Sequence, residues 1–211
     1  MARILITSGP TRQYLDPVRY LTNASSGRMG AALAAAALQL GHEVVVLTGP
    51  VSVDYPAAAE VVSVTSTEEM LEAAQRLFAD CDGAIGAAAP CDYRPVRVEE
   101  HKIAKTGGPL ELRLVETPDV IATLGAGKRA GQWVVGFALE TEDQRFRALA
   151  KLERKSCDMI VLNGPAAMNA EDNSVELIAP SGEILESLAG VKEEVAVGIL
   201  RVIQRRLIDG A

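Results

Sequence analysis

Apolar and polar positions along this chain separate into short β-branched runs and longer stretches with helical spacing. The runs lie at residues 4–7, 44–48, 61–64, 84–88, 134–138 and 159–163, and helix-compatible segments at 27–40, 67–79, 117–129 and 141–155 fall between most of them. Runs that are apolar throughout belong to strands buried on both faces, and their alternation with helices builds a parallel sheet covered on both sides. The pattern therefore predicts an α/β fold, a doubly wound, mostly parallel Rossmann-like sheet. Near the end the rhythm changes. Residues 174–179 and 183–188 flank Pro180-Ser181-Gly182, which predicts a hairpin, and 191–207 carries apolar residues at helical spacing as a closing helix. Residues 90–108, with prolines, charges and Gly107-Gly108, fit neither period and predict a protruding arm or flap ahead of a strand at 110–115. Thr117-Pro118-Asp119 reads as a helix start, with threonine as the cap, proline at the first helical position and aspartate in the first turn.

Composition narrows the class without changing this picture. The 211 residues suffice for one sizeable core, and a single domain over 1–211 is expected. A formal charge of −7, from 21 Lys and Arg against 28 Asp and Glu, argues against a nucleic-acid or anionic-membrane surface. Phosphate chemistry must then rely on local positive charge. Cys81, Cys91 and Cys157 are an odd set without metal-ligand spacing and read as reduced thiols. The first residues run straight into a strand with no leader pattern, and no apolar run approaches the roughly 18 residues that span a bilayer. A cytoplasmic protein is expected.

Candidate chemistry concentrates in the connection after the first strand. Thr7-Ser-Gly-Pro-Thr-Arg12, Asp16-Pro17-Val18-Arg19-Tyr20 and Thr22-Asn23-Ala24-Ser25-Ser26-Gly27-Arg28-Met29-Gly30 form a polar segment of roughly 20 residues where about 2–6 would connect strand to helix. It lies at the sheet edge where open α/β sheets bind ligands, and two serines and two glycines at the helix start suit a phosphate at the positive end of the dipole. The same Ser-Ser-Gly also serves as an ordinary serine cap.

Four further places carry candidate groups. Residues 87–95, Ala-Ala-Ala-Pro-Cys-Asp-Tyr-Arg-Pro, follow a strand, and their small side chains let a flat ligand approach the backbone, or simply pack under a crossing loop. Asp92 in that segment suits a ribose hydroxyl or a metal ion. Lys102-Ile103-Ala104-Lys105 puts ammonium groups on the arm, as a phosphate-seeking lid or as solvated surface charge. Arg147, Lys151 and Lys155 recur one helical turn apart and share a face, where a solvated basic face at a helix C-terminus is the plain alternative. Gly136-Phe137-Ala138-Leu139-Glu140-Thr141 ends another strand at the same edge, with Phe137 either core or a platform for a nucleobase. Asn163, Asn169, Asp172 and Asn173 read as turn formers. His42 and His101 stand apart without a motif partner, and there is no Gly-x-Ser-x-Gly elbow and no P-loop ending in Gly-Lys-Ser/Thr.

In this order, the first-loop signature, Ala-x-x-Asp-Tyr-Arg-Pro, the lysine arm, Pro-Asp, Gly-Phe-x-x-Glu-Thr and Lys-x-x-x-Lys resemble the phosphopantothenoylcysteine synthetase family in its bacterial form, over nearly the whole chain. The resemblance implies that 4′-phosphopantothenate is joined to L-cysteine through an acyl-cytidylate, with CTP as co-substrate giving CMP and pyrophosphate, and magnesium as the expected ion. It implies Asn23 as the amide holding the acyl group, Lys102 as a mobile cation that promotes cytidylate formation, and Arg19 as a phosphopantothenate contact from the neighbouring subunit. A homodimer with a shared site follows, with residues 90–115 as arm and dimer contact. Gly9, Ser25, Gly27 and Gly30 would wrap the triphosphate. Gly86, Ala87, Ala88, Phe137, Pro118 and Asp119 would frame the cytosine, with Asp92, Lys151 and Lys155 toward ribose and phosphates; Ala88, Ala89 and Asp92 would line the pantothenate channel. The resemblance names no metal ligands. Many bacterial members are fused behind a flavin-dependent decarboxylase, so a separate decarboxylase partner or a ligase half are both expectations. Two departures stand out: Ala104 replaces the third lysine of the usual Lys-x-Lys-Lys, and Thr117 replaces the asparagine of Asn-Pro-Asp. Two other readings remain. A nicotinamide-dependent reductase lacks its Gly-x-Gly-x-x-Gly and Tyr-x-x-x-Lys signatures here, and a non-catalytic nucleotide-binding module rests on Ala104 alone.

Overall fold

Two-residue alternation inside the buried strands decides which helices cover which face. The computed structural model describes residues 1–140, 142–164 and 172–210. In β1 (Arg3–Ser8), Ile4 and Ile6 point to one face and Leu5 to the other; β4 (Glu43–Thr48) divides Val44 and Val46 from Val45 and Leu47. In β10 (Met159–Asn163), Met159 and Val161 oppose Ile160 and Leu162. The first face is covered by α1 (Arg28–Gln39) and α5 (Lys192–Ile203), the second by α2 (Thr67–Phe78), α3 (Val120–Ala126) and α4 (Gln144–Arg154). Ala32, Ala34, Ala36 and Ala37 make the buried side of α1, so α5 can lie close along it.

The remaining strands of the main sheet are β5 (Glu60–Ser63), β6 (Gly83–Gly86), β9 (Trp133–Leu139), β11 (Asp172–Ile178) and β12 (Ile184–Val191). The eight run in the order β12-β11-β10-β9-β6-β1-β4-β5, with β1, β4, β5, β6, β9 and β10 parallel and the final hairpin antiparallel. The expected doubly wound, mostly parallel sheet with its C-terminal hairpin and helix is present. From β1 the chain winds outward through β4 and β5, then returns to β6 on the other side, so the strand order reverses between β1 and β6. The carboxyl ends of those two strands open a crevice for ligands.

Several boundaries differ from the sequence reading, each for a local reason. The first loop contains a ribbon, β2 (Arg12–Tyr14) with β3 (Tyr20–Thr22), whose strands are too short to show a period. The Tyr14 and Tyr20 rings meet edge-on at 5.4 Å, and the Arg12 guanidinium stacks 4.5 Å over Tyr20. Helix α3 begins at Val120, three residues later than read. Asp119 is the cap, accepting from Ala122 N at 3.0 Å, while Thr117 Oγ1 donates to Cys91 O at 2.7 Å. The arm strand is β8 (Leu114–Glu116), limited to the length of its partner β7 (Tyr93–Pro95). The closing helix turns π-helical at Gln204–Ile208. Thr141 and Asn169 lie outside the described residues.

Candidate functional site

The crevice is built by small residues that leave the sheet together. Gly9 and Gly27 both hold positive φ, 70° and 76°, which turns the first loop sharply at its beginning and end. Beyond β6, residues 87–89 run beside that loop: Ala87 N donates to Thr7 O at 3.1 Å, Ala89 N to Gly9 O at 2.9 Å, and Pro10 bridges to Ala89. A buried hydroxyl cluster locks the next turn. Thr11 Oγ1 accepts from Cys91 N at 2.8 Å and lies 2.7 Å from Thr67 Oγ1, while Thr67 and Thr117 both donate to Cys91 O. Cys91 is thereby held at both backbone groups, which fixes Pro90 and Asp92 on either side of it.

Those two neighbours orient Asn23. Its Nδ2 donates to Pro90 O at 2.8 Å and approaches Asp92 Oδ2 at 3.5 Å. Both partners are acceptors, so the NH2 must face them, and Oδ1 takes no hydrogen bond among the described residues.

Next to Asn23 opens a cleft of about 600 Å³, the size of ordinary small-molecule sites. Its wall brings together Gly86, Ala88, Asp92, Pro118, Asp119, Phe137, Lys151 and Lys155 from five separate segments. Phe137, two residues before the end of β9, is partly buried and borders the cleft, with its ring packed toward the α1/α5 side of the sheet. The basic face of α4 is not simply solvated. Lys155 pairs with Asp119 at 3.0 Å and Lys151 with Glu140 at 3.1 Å, with side chains only 17% and 27% exposed. At an effective dielectric of about 20, a unit charge 4 Å from such a lysine gains about 4 kcal/mol, against about 1 in bulk water. Each lysine is already neutralised by its carboxylate, so an incoming anion draws on this gain only as it displaces Glu140 or Asp119. Burial alone would raise the Asp119 carboxyl, but the Ala122 amide and the Lys155 ammonium outweigh it and hold it below its ordinary value of 3.8.

The first turn of α1 is open to an anion in a different way. Gly27 occupies the cap position in the left-handed conformation and no side chain caps the helix, so neither Ser25 nor Ser26 does what a serine cap would; Ser26 Oγ reaches Arg28 N only at 3.5 Å. Gly30 is required by packing, since a methyl group there would lie 2.0 Å from Ser8 Oγ. Gly9, Ser25, Gly27 and Gly30 are thus not part of the cleft lining, and Ala87 and Ala89 bond to the start of the first loop at Thr7 and Gly9.

Arg19 and Lys102 stand apart from the cleft of their own chain. Lys102 is exposed on the arm and lines a groove of about 640 Å³ with Arg97, His101, Leu110 and Leu112. Arg19 Nη1 bonds Asp16 Oδ2 at 2.7 Å and Ile103 O at 3.0 Å. Sequence reasoning missed Arg154 and Ile121, both on the cleft wall, and Tyr55, whose hydroxyl ties Ser8 to Thr48 beneath Gly27. Arg154 carried a signal, seven residues beyond Arg147 on one helix; Tyr55 sits in an irregular loop and carried none. Among the described residues no three His, Cys, Asp or Glu side chains converge on a metal position. Cys157 is buried against Gly136, and burial pushes its thiol up to about 11, away from the thiolate that does chemistry.

Residues 1–207 match the family model described as the DNA/pantothenate metabolism flavoprotein C-terminal domain. The chain is 42% identical over 207 residues to a cysteine/cysteine sulfinic acid decarboxylase from an unknown prokaryotic organism, covering 95% of this chain and 57% of that protein. It is 41% identical over 207 residues to the coenzyme A biosynthesis bifunctional protein CoaBC of Vibrio vulnificus strain YJ016, covering 95% and 51%. It spans about half the length of these curated relatives. Among solved structures, the C-terminal domain of a CoaBC superposes with a TM-score of 0.83 at 38% identity, covering 98% of both chains. A Cab2 mutant in complex with phosphopantothenate-cysteine superposes with a TM-score of 0.77 over 96% of this chain; at 19% identity that likeness shows the fold alone.

Proposed function

Because the chain belongs to the family of DNA/pantothenate metabolism flavoprotein C-terminal domains, we propose that it is the ligase joining 4′-phosphopantothenate to L-cysteine in coenzyme A biosynthesis, with CTP as co-substrate. The observation that carries this reading is the cleft at the β1/β6 reversal, where Phe137, Asp119, Lys151 and Lys155 meet beside an oriented Asn23. In the first step a carboxylate oxygen of phosphopantothenate attacks the α-phosphorus of CTP and pyrophosphate leaves. In the second the cysteine amine attacks the acyl carbon of the acyl-cytidylate and CMP leaves.

On this reading each residue takes a role that its placement supports. Gly86, Ala87, Ala88, Pro118 and Phe137 frame the base, and Asp119, Lys151 and Lys155 take ribose and phosphates, the two lysines leaving Glu140 and Asp119 for the incoming anion. Gly9, Ser25, Gly27 and Gly30 border the triphosphate at the open N-terminus of α1. Asn23 holds the acyl group, and Ala88, Ala89 and Asp92 line the pantothenate channel. Magnesium fits this donor set as an ion carried by the triphosphate, since Asp92 and Glu116 are exposed carboxylates on the cleft wall and magnesium commonly takes one or two protein carboxylates plus phosphates. When bound, it supplies charge neutralisation. Arg19 and Lys102, both away from their own cleft, serve a site completed by a second copy, which makes a homodimer through residues 90–115 part of the enzyme. A cytoplasmic location and a decarboxylase partner, fused or separate, belong to the same proposal. No helix among the described residues is long and apolar enough to cross a membrane.

The test is pyrophosphate release with phosphopantothenate, cysteine and magnesium, comparing CTP with ATP. Release with CTP supports the reading; release with ATP alone keeps the ligase and overturns the nucleotide. Asn23→Asp turns a carboxylate oxygen toward Pro90 O and Asp92, so this variant is expected to bind CTP normally and lose at least about 100-fold in product formation, the scale of one lost charge-stabilising donor.

A further inference from the structure

Asp16 is fully buried and every acceptor position on its carboxylate is filled. Oδ1 accepts from Val18 N and Arg19 N, each at 2.8 Å. Oδ2 accepts from Arg19 Nη1 at 2.7 Å and from Ile103 N at 3.1 Å, across 87 residues of sequence. Arg19 Nη1 also donates to Ile103 O at 3.0 Å. Oδ1 alone suffices for the Asp-Pro-Val-Arg turn; Oδ2 is spent on holding a different part of the chain. Among the described residues, no other hydrogen bond ties residues 100–112 to the body; the flanking bonds are Glu99 N to Leu15 O on the body and Val96 N to Arg113 O within the arm.

We propose that Asp16 is a positioning residue for the lysine arm: with Arg19 it grips both backbone groups of Ile103 and so sets where Lys102 stands. The clamp closes one residue from Lys102, with Ala104 in the position that follows it and Lys105 one residue further on. Burial works against the charged carboxylate, yet the Val18, Ile103 and Arg19 amides and the Arg19 guanidinium hold it down at about 2. The carboxylate is therefore charged near neutral pH, which matches the donors that surround it. Arg19 contributes only Nη1 to the grip, so an anion taken by the rest of its guanidinium is mechanically coupled to the arm. This last consequence and the effect on turnover rest on the ligase reading; the grip itself does not.

Asp16→Asn separates the two duties. Its carbonyl oxygen still accepts from Val18 and Arg19, while its NH2 confronts the Ile103 N–H and Arg19 Nη1, donors facing donors. In the full chain, tryptic cleavage after Lys102 and Lys105 is expected to accelerate at least tenfold with body sites unchanged, and kcat for pyrophosphate release to fall at least tenfold with the KM for CTP within twofold. Ile103→Pro removes the clamped N–H from the exposed arm without touching the body, and cleavage after Lys105 is expected to rise likewise. Arm cleavage within twofold of the parent in both variants, or cleavage rising equally across arm and body, overturns the proposal. If the parent itself shows no turnover, the ligase reading falls, and the cleavage comparison still decides the clamp.

Discussion

At Gly30 a methyl group has nowhere to go. It would stand 2.0 Å from Ser8 Oγ and 2.5 Å from Ser8 Cβ, and that serine is itself held by Tyr55 Oη at 2.9 Å. Either α1 lifts from β1 or Ser8 gives up its hydroxyl contacts. Gly30→Ala is therefore expected to cost about 1–3 kcal/mol, the usual range for overpacking, read as a lower urea midpoint with an unchanged m-value. In the sequence Gly27 and Gly30 fall in one motif, and the family resemblance implies that both border the triphosphate. Gly27, three residues earlier, has the left-handed backbone and uncapped helix end that suit an anion. Composition of a loop cannot tell these two glycines apart, because one is required by its φ and the other by what lies across from it.

Capping shows the same division among elements. Asp119 closes α3 through Ala122 N and pairs with Lys155 on α4, so one side chain links two helices at the cleft. Asp119→Ala loses both and is expected to lower stability by about 1–2 kcal/mol; Asp119→Asn keeps a good cap and is expected to lose under about 0.5 kcal/mol, since the pair is partly exposed. Denaturant titration of the two variants separates cap from pair. The pH dependence has a definite sign. The folded pKa lies below the ordinary 3.8, so the Asp119 contribution is complete above 3.8 and is lost as pH falls through the lower folded value. The acid limb of the parent's stability curve should lie at lower pH than that of Asp119→Ala, as acid titration followed by circular dichroism would detect. The strands β1, β4, β6, β9 and β10 and the helices α1, α2 and α4 were legible from apolar runs and helical spacing to within a few residues. The β2/β3 ribbon was not, because three-residue strands stabilised by a Tyr14–Tyr20 contact and an Arg12 stack leave no periodicity.

For the molecule as a whole, the arm is the least self-sufficient region. Val96, Val98, Leu110 and Leu112 are exposed, as are Leu114 and Val115 in β8, an apolar surface that a second copy covers if the dimer proposed here forms. Val98→Asp with Leu112→Asp is expected to shift the protein toward monomer in analytical ultracentrifugation and to reduce turnover at least tenfold, while the Tm changes by only a few degrees because neither side chain contributes to the core. A dimer unaffected by both charges would place the interface elsewhere. By itself the sequence determined the α/β class, the strand and helix succession, the edge of the sheet where chemistry gathers, and the family, because burial on two faces and a long ordered motif are written in neighbouring residues. Only the tertiary structure decided that Lys151 and Lys155 face a cleft rather than solvent, that Asn23 turns its NH2 inward, and that Asp16 reaches across to Ile103. Each of these depends on which atoms stand opposite, and opposition across 67 or 87 residues is created by the fold, not by the local pattern.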